Sequence, residues 1–265
     1  MRHLNGIGAV MRAIPSEALT LDDLGMPPSV KNLCRQTQGM ILVTGKTGSG
    51  KSTTVAAMVD AINVRLKGHI LTVEDPIEFV HQRKGCLISQ REVGIHTENF
   101  ASALHSALRE DPDVILVGKL RDLETISAAV TAAEMGILVM ITLHTNGAGQ
   151  TVDRIVNTFP ADKQSHIRTM LSTSLRGVIS QQLLPTKDKS GRVAALEILV
   201  NTAAVANIIR QGKMDQLETA MQSGRSNGMQ TMDNALMDLA RKGRIGALEA
   251  YQQSNNKHKF KRLVE

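Results

Sequence analysis
The chain has 265 residues, 42% of them apolar, which suffices for one large α/β domain or one domain with an extension. Aromatic residues are scarce (four Phe, one Tyr, no Trp), so the core must be aliphatic, and a single-strand nucleic-acid binder built on stacking platforms is disfavoured. Of the formal charge of +6, Lys257, Lys259, Lys261 and Arg262 against Glu265 place +3 in the last nine residues, which reads as a solvated, frayed basic tail rather than a nucleic-acid or lipid contact.

In chain order, residues 1–14 carry a short apolar segment (Ile7, Ala9, Val10, Met11, Ile14) that predicts a strand orphaned from something larger, followed by a polar connector through Pro27-Pro28. A helix is expected from 29 to 38 and a strand over 40–44. Next comes Gly45-Lys46-Thr47-Gly48-Ser49-Gly50-Lys51-Ser52-Thr53, and then an Ala-rich helix over 51–66. Strand, glycine-rich loop and helix in register are what a P-loop requires. Its glycines let backbone N–H groups turn in on the phosphates, Lys51 reaches the β/γ-phosphates, and Ser52 offers its hydroxyl to Mg²⁺. The N-terminal dipole of the helix adds to that anion site. The chain is therefore expected to bind a nucleoside triphosphate.

Further elements follow: a strand Ile70–Glu74, a loop, a helix 98–109, a strand Asp113–Val117, a helix 121–135 and a strand 137–143. Beyond 160 the pattern turns to helices, one β-like pair (Val178–Leu184, Val193–Val200), and short amphipathic helices ending near Tyr251. Alternating β and α elements with short connections predict a mainly parallel sheet covered by helices. Such sheets bind ligands at the carboxyl ends of their strands, where the P-loop, Glu74-Asp75-Pro76-Ile77-Glu78, Gly118-Lys119 and His144-Thr145 all fall. Read from residues alone, Glu78 is either a water-positioning carboxylate or a solvated loop carboxylate. His144 is either a phosphate reader or a hydrogen-bonded structural histidine. Cys34 and Cys86 have no Cys-x-x-Cys spacing, so neither a disulfide framework nor a zinc cluster is indicated, and a reducing cytoplasm fits. The longest apolar run, Met135 to Leu143, falls short of the roughly 18 residues of a membrane span, and no signal-peptide pattern opens the chain. Any membrane role is expected to run through partners.

Ile70-Leu71-Thr72-Val73-Glu74-Asp75-Pro76-Ile77-Glu78-Phe79 resembles the acidic box of the secretion and type IV pilus ATPase superfamily. Ser89-Gln90-Arg91-Glu92-Val93-Gly94, Leu108-Arg109-Glu110-Asp111-Pro112-Asp113-Val114-Ile115-Leu116-Val117-Gly118 and Thr142-Leu143-His144-Thr145-Asn146 extend the resemblance in order. Within the superfamily, Asp153-Arg154-Ile155-Val156-Asn157-Thr158-Phe159-Pro160 and Ala204–Lys213 resemble the retraction-motor branch, and the lack of a four-cysteine module speaks against the pilus-extension and type II secretion branch. The resemblance implies a RecA-like ATPase domain over 29–200, a remnant strand and linker of a PAS-like domain over 1–28, and a helical C-terminal segment with the basic tail over 201–265. It also implies ATP and Mg²⁺ as cofactors, a hexameric ring with arginines supplied by a neighbour, and an inner-membrane platform protein of the pilus as partner. In those terms Lys51 and Mg²⁺ on Ser52 neutralise the β/γ oxygens, Glu78 positions the attacking water, Glu74 and Asp75 hold the metal's waters, and His144 reads the γ-phosphate.

Departures from the family pattern bear on activity. Lys119 stands where the Walker B segment carries Glu. Two charges ~4 Å apart at an effective dielectric of ~20 exchange ~4 kcal/mol, so a cation beside the metal is expected to impair turnover. The alternatives are a lysine turned outward or one that contacts a phosphate directly. Ile137 replaces the first histidine of a two-histidine segment, Lys46 a proline, and Ala206 an arginine. Arginines that the family supplies from the PAS-like domain are not expected from this chain, and such a finger is worth ~10³ or more in rate. Arg91, Arg109, Arg121 and Arg154 are candidate phosphate or interface contacts, although Arg121 and Asp122 equally form an ordinary helix-opening pair. A non-hydrolysing nucleotide-binding ring subunit and a pilus-extension or secretion ATPase are the rival readings.

Overall fold
The computed structural model of the protein describes residues 2–3, 6–8, 18–120 and 122–264. Strands β1 (Arg2–His3) and β2 (Gly6–Ile7) form a small antiparallel pair. Most of the strand expected over 1–14 lies outside the described residues, as does Arg121.

The main sheet contains β3 (Gly39–Thr44), β4 (His69–Glu74), β5 (Leu87–Glu92), β6 (Val114–Val117), β7 (Leu138–Leu143), β8 (Leu175–Pro185) and β9 (Arg192–Val200), in the order β5-β4-β6-β7-β3-β8-β9. All neighbours pair in parallel except β8 and β9. The sequence signal was strongest at the centre for a physical reason. Every residue of β3 is buried, and its side chains alternate between two cores: Met40 and Leu42 enter one, Ile41 and Val43 the other. Strands covered on both faces read as continuous apolar runs, and β6 splits the same way, Ile115 and Val117 against Val114 and Leu116. One face is covered by α1 (Pro28–Leu33) and α2 (Lys51–Arg65). The other is covered by α3 (Phe100–Ala107), α4 (Leu123–Glu134), α5 (Ala148–Val156), α6 (Ala161–Ser174), α7 (Ala203–Gln211) and α8 (Leu217–Ser223). Asn99 caps α3 by accepting from Ser102 N, and Asp122 caps α4 by accepting from Thr125 N, each at 2.8 Å.

Three segments differ from expectation. The helix expected over 29–38 ends at Leu33. The stretch read as loop after Glu74 contains β5, which pairs with β4 over six residues. Its mixture of Leu87, Ile88, Ser89, Gln90, Arg91 and Glu92 suits a half-buried edge strand, whose polar and charged residues hide the β signal. The basic tail is not frayed within the described residues. After α9 (Met232–Arg241) and α10 (Ala247–Gln253) the chain forms α11 (Lys257–Val264). Phe260 is fully buried among Leu184, Ala195, Met232 and Leu236. Lys257 Nζ donates to the carbonyls of Tyr251, Gln252 and Ser254, and sits 5.5 Å from the Tyr251 ring centre. Phe260, with Leu263 packed against the same cluster, docks a helix whose other side chains are mostly charged. On α7, Val205 and Ile209 enter the core and Ile208 packs against it, so core packing accounts for that apolar face.

Candidate nucleotide site
Residues Gly45–Gly50 join β3 to α2, and the backbone there uses conformations that only glycine adopts without strain. Gly45 has φ +143, and a Cβ on it would lie 2.3 Å from the Gln181 carbonyl oxygen. Gly50, at φ +86, is the left-handed residue from which α2 starts. Lys51 follows with only 8% of its surface exposed, and its Nζ donates to the carbonyls of Gly45 (2.7 Å) and Lys46 (3.0 Å). Burial pulls the Lys51 ammonium below its usual pKa, and the nearby Glu78 carboxylate pulls the other way. From β8, buried Gln181 clamps the loop: its Nε2 donates to Ser49 O and its Oε1 accepts from Thr54 Oγ1, both at 2.7 Å. The Ser49 hydroxyl is buried with no protein partner, which fits a loop built for an oxyanion.

Beside the loop, Ser52, Glu74, Asp75, Glu78, Gly118 and Thr142 line a common cavity of about 60 Å³. Three strands deliver them. Glu74 ends β4, Gly118 follows β6, and Thr142 lies in β7 with its hydroxyl donating to Gly118 O at 2.5 Å. Gly118 packs tightly, since a Cβ there would meet Val73 O at 3.1 Å and Glu74 Cα at 3.2 Å. Burial pushes the Glu74 carboxyl up, against hydrogen bonds donated by Thr72 Oγ1 (2.7 Å), Gln90 Nε2 (3.2 Å) and the Glu78 backbone N–H. The exposed segment after Glu74 is pinned by β5. Gln90 Nε2 also donates to Phe79 O, Gln90 Oε1 accepts from His81 N, and Glu92 Oε2 accepts from Ile77 N. A hydroxyl and carboxylates around a small cavity form the hard oxygen set that Mg²⁺ prefers, with room left for its waters. Among the described residues no group of three or more His, Cys, Asp or Glu forms a metal cage. Mg²⁺ held between one or two protein oxygens and phosphates needs none.

Lys46, Thr47, Gly48 and Ser49 face a second cavity of about 190 Å³ on the β8 side, and Thr53 is half-buried in the first turn of α2. His144 is exposed just after β7 and does not line the acidic cavity. Its loop is held further along, where Gly147 N donates to Ser180 Oγ (2.9 Å) and Ala148 N to Glu197 Oε1 (2.7 Å). Lys119 is half-buried and also stands outside that cavity's wall, which Gly118 forms. The cation therefore stands beside this cavity, one residue on from its wall. Arg91 is engaged by Glu110, its Nη2 lying 2.7 and 2.9 Å from the two carboxylate oxygens, whereas Arg109 and Arg154 are exposed. Sequence reasoning assigned no part to Gln181, Gln90, Glu92 or Glu197. Gln90 and Glu92 lie in the Ser89–Gly94 segment that carries the family resemblance, whereas the local sign of Glu197 is a polar side chain interrupting an apolar strand between Leu196 and Ile198.

A family model described as Type II/IV secretion system protein matches residues 2–260. A twitching motility protein of Neisseria gonorrhoeae is 55% identical over 95% of this chain and 67% of its own length. The type IV pilus retraction ATPase PilT of Pseudomonas aeruginosa is 53% identical over 96% of this chain and 74% of its own. Among solved structures, the pilus retraction motor PilT with bound ADP superposes with a TM-score of 0.89 at 47% identity, over 95% of this chain and 71% of that one.

Proposed function
Because the chain belongs to the Type II/IV secretion system protein family, we propose that it is an ATP-hydrolysing motor of type IV pilus retraction, the process behind twitching motility. One observation carries the chemistry: the P-loop with buried Lys51 stands beside a single cavity that gathers Ser52, Glu74, Asp75 and Glu78 at the carboxyl ends of neighbouring parallel strands. Backbone N–H groups of Gly45–Thr53 cradle the phosphates, and Lys51 leaves its loop carbonyls for the β/γ oxygens. When bound, Mg²⁺ supplies charge neutralisation on those oxygens, held through Ser52 with Glu74 and Asp75 around its waters. Glu78 takes a proton from water as the water oxygen bonds to the γ-phosphorus, and the bond to the β-phosphate oxygen breaks to release ADP. His144 contacts the γ-phosphate. The working form is a hexameric ring at the cytoplasmic face of the inner membrane, docked on the pilus platform protein. In support, no helix among the described residues is long and apolar enough to cross a membrane.

Steady-state ATP hydrolysis with Mg²⁺, measured beside ATP binding, tests this for the chain, Glu78→Gln and Lys119→Glu. The chain turns over ATP, Lys119→Glu changes little, and Glu78→Gln binds ATP but loses about 10²–10⁴ in kcat. Undiminished turnover in Glu78→Gln refutes its role. If the chain binds ATP without hydrolysing it and Lys119→Glu restores turnover, the non-hydrolysing ring subunit is the correct reading.

A further inference from the structure
Glu197 projects from β9 into the junction between the loop carrying His144 and the C-terminal helices. Its Oε1 accepts from Ala148 N (2.7 Å), the first residue of α5, and its Oε2 accepts from Met232 N (3.3 Å), the first residue of α9. One carboxylate thus satisfies unpaired backbone donors at the starts of two helices that lie more than eighty residues apart in the chain. Gly147, at φ +95, lies near enough that a Cβ would meet Glu197 Oε1 at 3.3 Å, so the loop backbone runs beside the carboxylate. Burial pushes the Glu197 carboxyl up, the two N–H donors oppose this, and the carboxylates of Glu218 and Asp233 add to it. The next residue of α9 repeats the device. Asp233, only 4% exposed, accepts from Asn255 N (2.8 Å) and Asn256 N (2.9 Å) at the head of α11. A cavity of about 350 Å³, lined by Gly147, Ala148, Glu197, Thr231, Asp233 and Asn255 among others, gives this row of groups room to shift.

We infer that Glu197 is a positioning residue that passes movement of the His144 loop to α9, with Asp233 as the next link to α11. The inference rests on the proposed function, in which His144 meets the γ-phosphate. Two rigid helix starts held by one side chain move together, whereas two starts held separately respond separately. Glutamine fits the same space but offers one acceptor oxygen instead of two, so Glu197→Gln keeps one helix start and releases the other.

The test is hydrogen exchange of the full chain with and without Mg²⁺ and a non-hydrolysable ATP analogue, read at residues 144–150, 231–241 and 255–264. In the unaltered protein all three segments change protection on binding. In Glu197→Gln the change at 144–150 persists, that at 231–241 is lost, analogue affinity stays within about twofold, and kcat falls about tenfold. In Asp233→Asn the response reaches 231–241 and stops before 255–264, a result that does not depend on altering Glu197. The coupling is overturned if 231–241 responds in Glu197→Gln as in the unaltered protein. It is equally overturned if 231–241 never responds while 144–150 does. Failure of the unaltered protein to bind the analogue removes the functional reading itself and the coupling with it.

Discussion

Gln181 offers the sharpest test of how the fold holds its phosphate loop. Its side chain is 3% exposed and makes two hydrogen bonds of 2.7 Å, to Ser49 O and from Thr54 Oγ1. Leucine at this position keeps the volume and removes both bonds, leaving a buried carbonyl and a buried hydroxyl to lose about 1–3 kcal/mol each. Gln181→Leu is therefore expected to lower unfolding stability by about 2–6 kcal/mol. The same change frees the turn at Ser49, so nucleotide must reorder it on binding, and affinity for ADP falls with it. The assay is urea unfolding with and without saturating Mg-ADP. Ligand at 100 times its Kd stabilises the unaltered protein by about 2.7 kcal/mol, and Gln181→Leu at the same concentration gains less. If the substitution leaves both the midpoint and the ligand-induced gain unchanged, the clamp is not what orders the loop.

Gly45→Ala is expected to abolish nucleotide binding while the chain still folds, because its Cβ meets the Gln181 carbonyl oxygen at 2.3 Å in a backbone conformation alanine resists; calorimetric titration with ADP checks it. Phe260→Ala empties a fully buried site under α11 and should cost about 3–5 kcal/mol, with 255–264 exchanging fast; a loss below ~1 kcal/mol contradicts the docked tail. Burial pushes the Cys34 thiol up to about 12, and the buried Cys86 thiol is raised for the same reason, so neither reacts quickly with a disulfide reagent at pH 8 until denaturant is added. The linkage has one sign: below 9 the Cys34 thiol is protonated in both states, and its contribution is lost as pH rises from 9 towards 12, where the unfolded thiol ionises first. A base titration of unfolding in Cys34→Ala, compared with the unaltered chain, should show a flatter decline above pH 9.

What the sequence determined by itself is local in origin. A continuous apolar strand, glycines at fixed spacing, and the lysine and serine that open a helix are consecutive in the chain, so the P-loop was legible before any fold was known. The carboxylates of Glu74, Asp75 and Glu78 were legible because they directly end a strand whose parallel pairing brings its carboxyl edge beside the loop. The tertiary structure decided what depends on distant partners. Gln181 clamps a loop 132 residues before it, Gln90 and Glu92 pin the acidic segment only because β5 adds to the sheet edge, and Lys119 falls outside the cavity that its neighbour Gly118 lines. The basic tail was misread because charge composition governs an isolated peptide, whereas Phe260 and the carbonyls that receive Lys257 fix it within the folded chain. A hydrogen bond or a buried ring stabilises only through its partner, and when that partner lies scores of residues away, the chain holds no local pattern from which to read it.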